Sequence, residues 1–450
     1  MDRSESYYKK MTETKISKLI ILLGIPTTVS MLITNIYNMV DTYFVGGLGT
    51  SAQAATGILF TLQCIIQAIA FMLGHGSGTN VSKELADRNI NRASKYVSTA
   101  FFIGLFLGTA LLVFGLLFLE PFMYMLGSSD TVLPYAKEYG MWVLISAPFM
   151  VGALILNNNL RYEGKAFYAM IGLGLGGILN MFGDYVFIKI FNMGIFGAGM
   201  STGISQIISF AVLVFFYYAK AQSRISLRFI SKELRLNFDI IRAGFPSLLR
   251  QGLASISSGI LNNLTKPFGD SAVAAMSVVN KCSSFVMCVG LGIGQGLQPV
   301  SAYNFRVKKY QRVKEGAIFT AFFGTCLVAI LALAGMIVPR EIIYLFNHDQ
   351  EVIDYGYMAL KYASIGLLFM PLSNVTNMLF QSIRKSELAS FLAILRSGLM
   401  FIPLLYIFQA MNLGFTGIAI AQPIADVLTG LISAPFLLGF IIKNHEKGTC

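Results

Sequence analysis

Long apolar stretches separated by short polar segments recur along the whole chain. Each is long enough to cross about 30 Å of hydrocarbon at about 1.5 Å per helical residue. No stretch is left over for a soluble domain. The pattern predicts twelve transmembrane helices, six in each half, with spans at 16–44, 54–79, 96–119, 136–157, 167–191, 197–219, 238–263, 272–302, 315–338, 352–379, 387–409 and 417–442.

Composition agrees with an all-α membrane protein. Of the 450 residues, 55% are hydrophobic and only 12% charged, and the mean hydropathy is +0.66. Water-soluble domains usually carry about 25% charged residues, so that class is excluded. The lipid bilayer is therefore the expected environment. In a soluble protein the net charge of +12 would suggest a nucleic-acid partner, but none is expected here.

The positions of the basic residues predict the topology. Lys and Arg number 24 in the tails and in the connections after spans 2, 4, 6, 8 and 10, and only 3 in the connections on the other side. Basic residues accumulate on the cytoplasmic side of a membrane. Both termini are thus predicted to be cytoplasmic, which requires an even number of spans. The first span is expected to remain as a helix, because no signal-cleavage pattern follows it.

The cysteines predict neither a disulfide framework nor a zinc site, since they are scattered and no Cys-x-x-Cys or Cys/His cluster occurs. No cofactor is expected. The five positions are Cys64, Cys282, Cys288, Cys326 and Cys450.

The chain contains an internal duplication. When it is shifted by 220 residues against itself, matching residues align without a gap, among them Gly24-x-Pro26 with Gly244-x-Pro246 and Asn157 with Asn377. Each copy has an even number of spans, so both enter the membrane from the same side. We therefore predict two parallel six-helix lobes around a central cleft, 1–225 (N-lobe) and 226–450 (C-lobe). Such an arrangement favours an alternating-access transporter over a channel.

Asp41 and Asp184 are acidic residues inside the predicted spans of the first lobe. A charged side chain in hydrocarbon is costly and is usually functional. Asp41 on span 1 and Asp184 on span 5 are both expected in the outer half of the membrane, where they can meet. Asn180 lies one helical turn before Asp184, and Thr202 lies on span 6. These oxygen atoms suit Na⁺, or a carboxylate pair that shares one proton.

The duplication distinguishes a functional role of these residues from a structural one. The equivalents of Asp41, Asn180, Asp184 and Thr202 in the second lobe are Leu261, Met400, Leu404 and Gln422. A polar set that the fold itself required would occur in both lobes. This set occurs in one, which favours a functional site over a structural hydrogen-bond network.

The second lobe has intramembrane charges of its own, with two open interpretations. Either an arginine forms a structural bridge with Asp426, or the group binds substrate or a second coupling ion; Lys281 and Lys361 alternatively extend toward the membrane surface. The candidate substrate-cavity residues are Tyr37, Asn38, Asn157, Arg250, Gln251, Lys281, Arg396 and Asp426.

These motifs together resemble the multidrug and toxic compound extrusion (MATE) family over essentially the whole chain. The resemblance rests on the twelve spans, Pro26 and Pro246, Asp41 followed by Gly-Gly-Leu-Gly, and Asn180-x3-Asp184 followed by Gly-Ala198-Gly-Met-Ser-Thr202. It is strongest toward the bacterial and archaeal DinF-like branch. It implies that Asp41, Asn180, Asp184, Thr202 and the Ala198 carbonyl bind the coupling ion.

The same resemblance implies a function. A monomer in the prokaryotic cytoplasmic (inner) membrane would exchange H⁺ or Na⁺ for amphipathic cationic organic compounds. One departure concerns the acidic residues that the family's other bacterial branch has on spans 7 and 10, where this chain has Arg250 and Lys361. A less strictly cationic substrate is therefore open.

Three alternatives are weaker. A flippase of lipid-linked saccharides would use the basic residues of the second lobe to hold pyrophosphate. A major facilitator type transporter would need glycines that are missing from the loop at 86–92. A membrane-embedded enzyme would need a metal motif or a nucleophile with its base, and neither is present in the spans. The protein is thus not expected to be an enzyme.

Overall fold

The structure, a computed structural model, describes residues 3–346 and 348–446, and within these ranges it contains helices and no β-strand. The first half contains eight α-helices: α1 (Arg3–Glu13), α2 (Ile16–Gly46), α3 (Thr50–Ala86), α4 (Ile90–Leu117), α5 (Leu119–Met125), α6 (Leu133–Tyr162), α7 (Ala166–Asp184) and α8 (Gly194–Lys220).

The second half repeats this order after a 3₁₀ turn at Leu227–Phe229. Its α-helices are α9 (Leu234–Thr265), α10 (Asp270–Arg306), α11 (Tyr310–Ile337), α12 (Pro339–Tyr344), α13 (Gln350–Leu367), α14 (Met370–Ser382), α15 (Ser386–Ile394), α16 (Ile402–Ala410) and α17 (Gly414–Glu446).

The predicted spans all correspond to helices. Among the described residues ten helical segments are long and apolar enough to cross a membrane, and the pair α13 and α14, bent by 45°, makes an eleventh. The remaining long helix is α9, which has 32 residues but carries Arg235, Asp239, Arg242 and Arg250. The all-α membrane fold is confirmed.

Short helices and π-helical turns are the parts of the fold that the sequence pattern does not predict. The helices α5 and α12 have 7 and 6 residues, too few to show a periodic pattern. A π-helical turn, Tyr185–Ile190, continues α7, and another, Leu395–Phe401, joins α15 to α16. Such turns widen a helix locally and are frequent at functional sites.

The duplication is visible in the backbone. Asn192 and Asn412 have φ angles of 53° and 54°, in the left-handed region that asparagine tolerates better than most residues. Asn157 Nδ2 donates to the Ala169 carbonyl at 2.9 Å, and Asn377 Nδ2 donates to the Ala389 carbonyl at 2.6 Å. Both bonds tie the end of one helix to the start of the next, so they belong to the repeated framework.

The chain forms two compact units. Unit 1 contains Val29–Leu248 with the start of α1 up to Tyr7, and unit 2 contains Tyr8–Thr28 with the chain from Leu249 onward. The first part of α9 thus packs in unit 1, and the first part of α2 packs in unit 2.

Paired glycines allow this packing in each unit. A Cβ added to Gly244 would lie 1.8 Å from the Met72 carbonyl oxygen in unit 1, and one added to Gly296 would lie 2.6 Å from the Gly24 nitrogen in unit 2. Backbones at this distance exclude any side chain at the crossing. Gly24 and Gly244 are equivalent in the repeat, so both crossings have the same origin.

The basic connection after α8 packs along unit 1. Its Arg224 and Ser226 amide groups donate to the hydroxyls of Ser94 and Ser98 on α4, at 2.9 and 3.2 Å. The Glu163 carboxylate, buried at the end of α6, accepts hydrogen bonds from the Gln222 amide and from the Ser223 amide and hydroxyl. Burial nevertheless raises the pKa of Glu163 above its usual value of 4.5, while these donors lower it.

Candidate functional site

Asp41 is held inside unit 1 by a hydrogen bond from α6. It lies near the end of α2 and is only 8% exposed. Tyr139 Oη donates to Asp41 Oδ2 at 3.1 Å and lies 3.3 Å from Thr202 Oγ1 on α8. The second carboxylate oxygen of Asp41, Oδ1, is buried and accepts no hydrogen bond from a described residue.

The second acidic residue ends α7. Asp184 is 0% exposed, and the π-helical turn Tyr185–Ile190 follows it directly. One turn earlier, Asn180 Nδ2 donates to Thr202 Oγ1 at 3.1 Å, and its backbone carbonyl accepts from Ser201 Oγ at 2.8 Å. The two carboxylates are close enough to interact electrostatically. The structure therefore brings Asp41, Asn180, Asp184 and Thr202 together.

Glycines in α7 explain how three helices approach this point. A Cβ on Gly183 would lie 2.5 Å from Ser201 Oγ on α8, and one on Gly177 would lie 3.0 Å from Tyr37 Cδ1 on α2. Small residues at such positions permit close helix contact. The glycines of the 172–177 segment have the same role, since their added Cβ atoms would meet side chains of α2 and α8.

Four buried oxygen atoms of the site accept no hydrogen bond from the described part of the chain: Asp41 Oδ1, Asn180 Oδ1, Asp184 Oδ1 and Asp184 Oδ2. Buried oxygens without partners are costly, especially on two neighbouring carboxylates. A hard cation takes carboxylate and amide oxygens as ligands, and a proton converts one carboxylate to a donor. The donor set therefore fits either H⁺ or Na⁺. No group of three His, Cys, Asp or Glu side chains suited to a metal occurs among the described residues.

Three other predicted residues, Tyr37, Asn38 and Ala198, have different environments. Tyr37 lies one turn before Asp41 and within electrostatic range of both carboxylates. Asn38 is partly exposed, and its backbone carbonyl accepts from Thr42 Oγ1 at 2.8 Å. Ala198 is fully buried one turn before Thr202. Its carbonyl as an ion ligand stays a prediction.

Tyr139 and Ser201 were missed by sequence reasoning. Tyr139 is the only side chain of α6 with a hydrogen bond to Asp41 among the described contacts. A tyrosine within an apolar span gives no distinctive signal, because it also fits a lipid-facing or a core position. Ser201 directly precedes Thr202 in the motif. If the predicted site had been extended to the residues within one helical turn of Thr202, it would have contained Ser201.

In unit 2 the structure pairs Asp426 with one of the two candidate arginines. Arg396 Nε donates to Asp426 Oδ1 at 2.6 Å, and Gln422 Nε2 donates to the same oxygen at 3.0 Å. The expected bridge between an arginine and Asp426 is therefore present. Arg250 Nη1 donates instead to Asn377 Oδ1 at 2.9 Å.

The other second-half candidates are more exposed. Gln251 and Lys281 are partly buried, and Lys361 is exposed with its ammonium group 5.8 Å from the centre of the Tyr357 ring. Lys361 thus extends outward from its helix. Asn157 makes the repeated bond to the Ala169 carbonyl, which favours a structural role for it over a substrate contact.

Comparison with known proteins agrees with this geometry. The MatE family model matches residues 26–186 and 246–407, and the two matches begin 220 residues apart, as the repeat does. The multidrug export protein MepA of Staphylococcus saprophyticus is 23% identical over 450 residues, with 99% of this chain and 97% of the relative covered. MepA of Staphylococcus aureus strain MSSA476 is 25% identical over 452 residues, with the same coverage.

A solved structure shows the same fold. It is described as an outward-facing conformation of a multidrug resistance MATE family transporter of the MOP superfamily. It matches with a TM-score of 0.90 and 24% identity, over 97% of this chain and 98% of that chain. Because the family model covers both halves and most of the chain, the protein belongs to the MatE family.

Proposed function

We propose that the protein is a secondary active multidrug efflux transporter that exchanges H⁺ or Na⁺ at the Asp41–Asp184 site for amphipathic organic compounds. The observation that carries this proposal is the set of four buried oxygens that accept no hydrogen bond from a described residue. The names of the two MepA relatives as multidrug export proteins support the cargo class. The charge of the carboxylate pair supplies the binding site for the coupling ion.

The coupling follows from competition between two ligands. Binding of H⁺ or Na⁺ to the carboxylate pair stabilises one conformation of the transporter, and binding of the organic compound stabilises another. Each ligand then weakens the binding of the other through the shared equilibrium. Alternating access to the two sides of the membrane converts this competition into exchange.

The remaining predictions belong to the same proposal. The protein acts as a monomer in a prokaryotic cytoplasmic membrane, with both termini in the cytoplasm, as the 24 to 3 distribution of basic residues supports. The proposal also includes membership of the DinF-like branch, in which the acidic coupling residues lie in the first half. The flippase alternative is weaker, because pyrophosphate carries several negative charges, whereas Asp426 already offsets one of the basic residues and Lys361 points outward.

Transport into vesicles tests the proposal. Asp41→Asn and Asp184→Asn should each abolish gradient-driven uptake of an organic cation into inside-out vesicles. Glu138→Gln removes an exposed carboxylate next to Tyr139 and is the matched control, with uptake expected near the wild-type rate. Imposing a pH gradient and a Na⁺ gradient separately identifies the ion. Undiminished uptake by both aspartate variants would refute the coupling site.

A further inference from the structure

The Arg396–Asp426 ion pair of unit 2 is exposed on one side only. Nε and Nη2 of Arg396 lie 2.6 and 3.5 Å from the two carboxylate oxygens of Asp426. The Asp426 side chain is 4% exposed, whereas that of Arg396 is 22% exposed. Asp426 is thus shielded by Arg396 and Gln422, and Arg396 is the more accessible side chain of the pair.

The Nη1 edge of this guanidinium has no strong acceptor among the described residues. Nη1 of Arg396 has the Met287 sulfur as its nearest partner, at 3.7 Å. A thioether is a weak hydrogen-bond acceptor and an adaptable apolar surface. A planar N–H donor beside such a surface suits a carboxylate attached to an apolar group.

The fold does not require these charges. The repeat places Gly176 and Gln206 at the positions equivalent to Arg396 and Asp426. Arg396 also lies in the π-helical turn Leu395–Phe401. The equivalent residues of the first half, 175–181, are α-helical, and the π-helical turn of that half covers Tyr185–Ile190 instead. The two halves thus place their π-helical turns beside different charged residues, Asp184 and Arg396.

Lys281 adds positive charge in the same unit. It lies on α10, about 16 Å of helix from its first residue, is partly buried, and forms no ion pair or hydrogen bond with a described residue. Arg250 contributes a further cation, with Nη1 bonded to Asn377. Among the described charged side chains that lie inside its membrane spans and are not exposed, unit 2 thus holds the cations Arg250, Lys281 and Arg396 and the acid Asp426.

We infer that unit 2 binds the carboxylate, or a similar single anionic group, of an amphipathic substrate at the Nη1 edge of Arg396 beside Met287, with Lys281 supplying additional positive potential. The transported compounds then include zwitterions and amphipathic anions as well as cations. This inference rests on the proposed transport function and names part of its substrate class.

A matched pair of dyes tests the inference. Rhodamine B carries a cationic ring system and a free carboxylate, and its ethyl ester carries the same ring system without the negative charge. Binding of each is measured by fluorescence polarisation with the full-length protein in nanodiscs. The double variant Arg396→Gln/Asp426→Asn should bind the free acid roughly tenfold more weakly and the ester within about twofold of wild type.

Three further variants separate binding from structure. Arg340→Gln/Asp354→Asn removes an exposed ion pair of unit 2, with a 3.2 Å contact, and should change neither affinity. Lys281→Met removes a charge that has no partner among the described residues, so it should fold normally and show a selective loss of several fold for the acid. Arg396→Lys, which keeps the charge but loses the planar fork, should fall between wild type and the double variant.

Equal loss of both dyes in the double variant, or unchanged acid binding in both that variant and Lys281→Met, would overturn the anion site. Asp41→Asn distinguishes this failure from failure of the proposed function. It should stop gradient-driven uptake of the ester while leaving the ratio of acid to ester affinity as in wild type. Persisting uptake would refute the coupling proposal, and the affinity ratio alone decides the anion site.

Discussion

The Tyr139 hydroxyl donates a hydrogen bond to Asp41 across the interior of unit 1, with 3.1 Å between Oη and Oδ2. The same hydroxyl lies 3.3 Å from Thr202 Oγ1, which accepts from Asn180. One side of Asp41 is therefore fixed by a chain of hydroxyls. The other side, Oδ1, accepts no hydrogen bond from a described residue, and we expect the coupling ion to bind there.

Replacing Tyr139 by phenylalanine should tighten binding of the coupling ion. The carboxylate loses a donor that stabilises its charged, empty form, so the ion concentration for half-maximal transport should fall roughly tenfold. Ion release should slow as well, lowering the maximal rate. Transport measured against coupling-ion concentration checks this. Tyr135→Phe, on an exposed position of the same helix, serves as control, and an unchanged half-saturating concentration in Tyr139→Phe would contradict the assignment.

The repeated asparagines should affect stability and leave coupling intact. Asn157→Ala and Asn377→Ala each remove a side-chain bond to a backbone carbonyl and should lower the free energy of unfolding by about 1–3 kcal/mol. The loss should be larger for Asn377, because it also accepts from Arg250. Thermal unfolding measures the first effect. Loss of ion coupling in a folded Asn157→Ala protein would show that its role is not structural.

Gly183 should tolerate no side chain. An alanine Cβ there would lie 2.5 Å from Ser201 Oγ, so Ser201 must shift or α7 and α8 must separate beside the Asn180–Thr202 contact. We expect Gly183→Ala to cost about 1–3 kcal/mol of stability and to reduce transport. Gly57→Ala is the matched control, since nothing lies within 4 Å of its added Cβ. Equal unfolding temperatures for the two variants would contradict the packing argument.

Glu163 should make the attachment of the connection after α8 depend on pH. Burial raises the folded-state pKa of Glu163 above 4.5, so the folded form holds its proton more tightly than the unfolded form does. Its contribution to stability is complete below pH 4.5 and is lost as pH rises through the raised value. Amide hydrogen exchange over residues 221–231, corrected for intrinsic rates, should therefore show protection that falls with rising pH.

Glu163→Gln should remove this dependence, because glutamine does not titrate. Its amide keeps an acceptor for the Ser223 hydroxyl and has nearly the same shape. Protection that increases with pH in the wild type, or an unchanged profile in the variant, would exclude Glu163 as the titrating group.

Sequence alone predicted most of the fold because a membrane span needs a long apolar stretch. The helices α5 and α12 were not predicted, because they are too short to show a helical periodicity. The 45° bend between α13 and α14 was also unpredicted. Pro371 near the start of α14 lacks an amide hydrogen, which allows a bend without dictating its angle.

The candidate site was predictable where a charge lies in hydrocarbon, as at Asp41 and Asp184. Depth along a helix follows from counting residues, but rotation about the helix axis does not. For this reason the sequence did not distinguish Arg250 from Arg396 as the partner of Asp426. In the structure, Arg396 is the residue that bonds to Asp426. Tyr139 could not be identified for the same reason.

Release of the coupling ion on substrate binding tests the central claim most directly. An organic cation is added to purified protein in weakly buffered solution, and released H⁺ or Na⁺ is measured. We predict stoichiometric release from the wild type, and substrate binding without release from Asp41→Asn/Asp184→Asn. Equal release from the double variant, or none from the wild type while substrate binds, would contradict the claim that these two carboxylates couple ion and substrate.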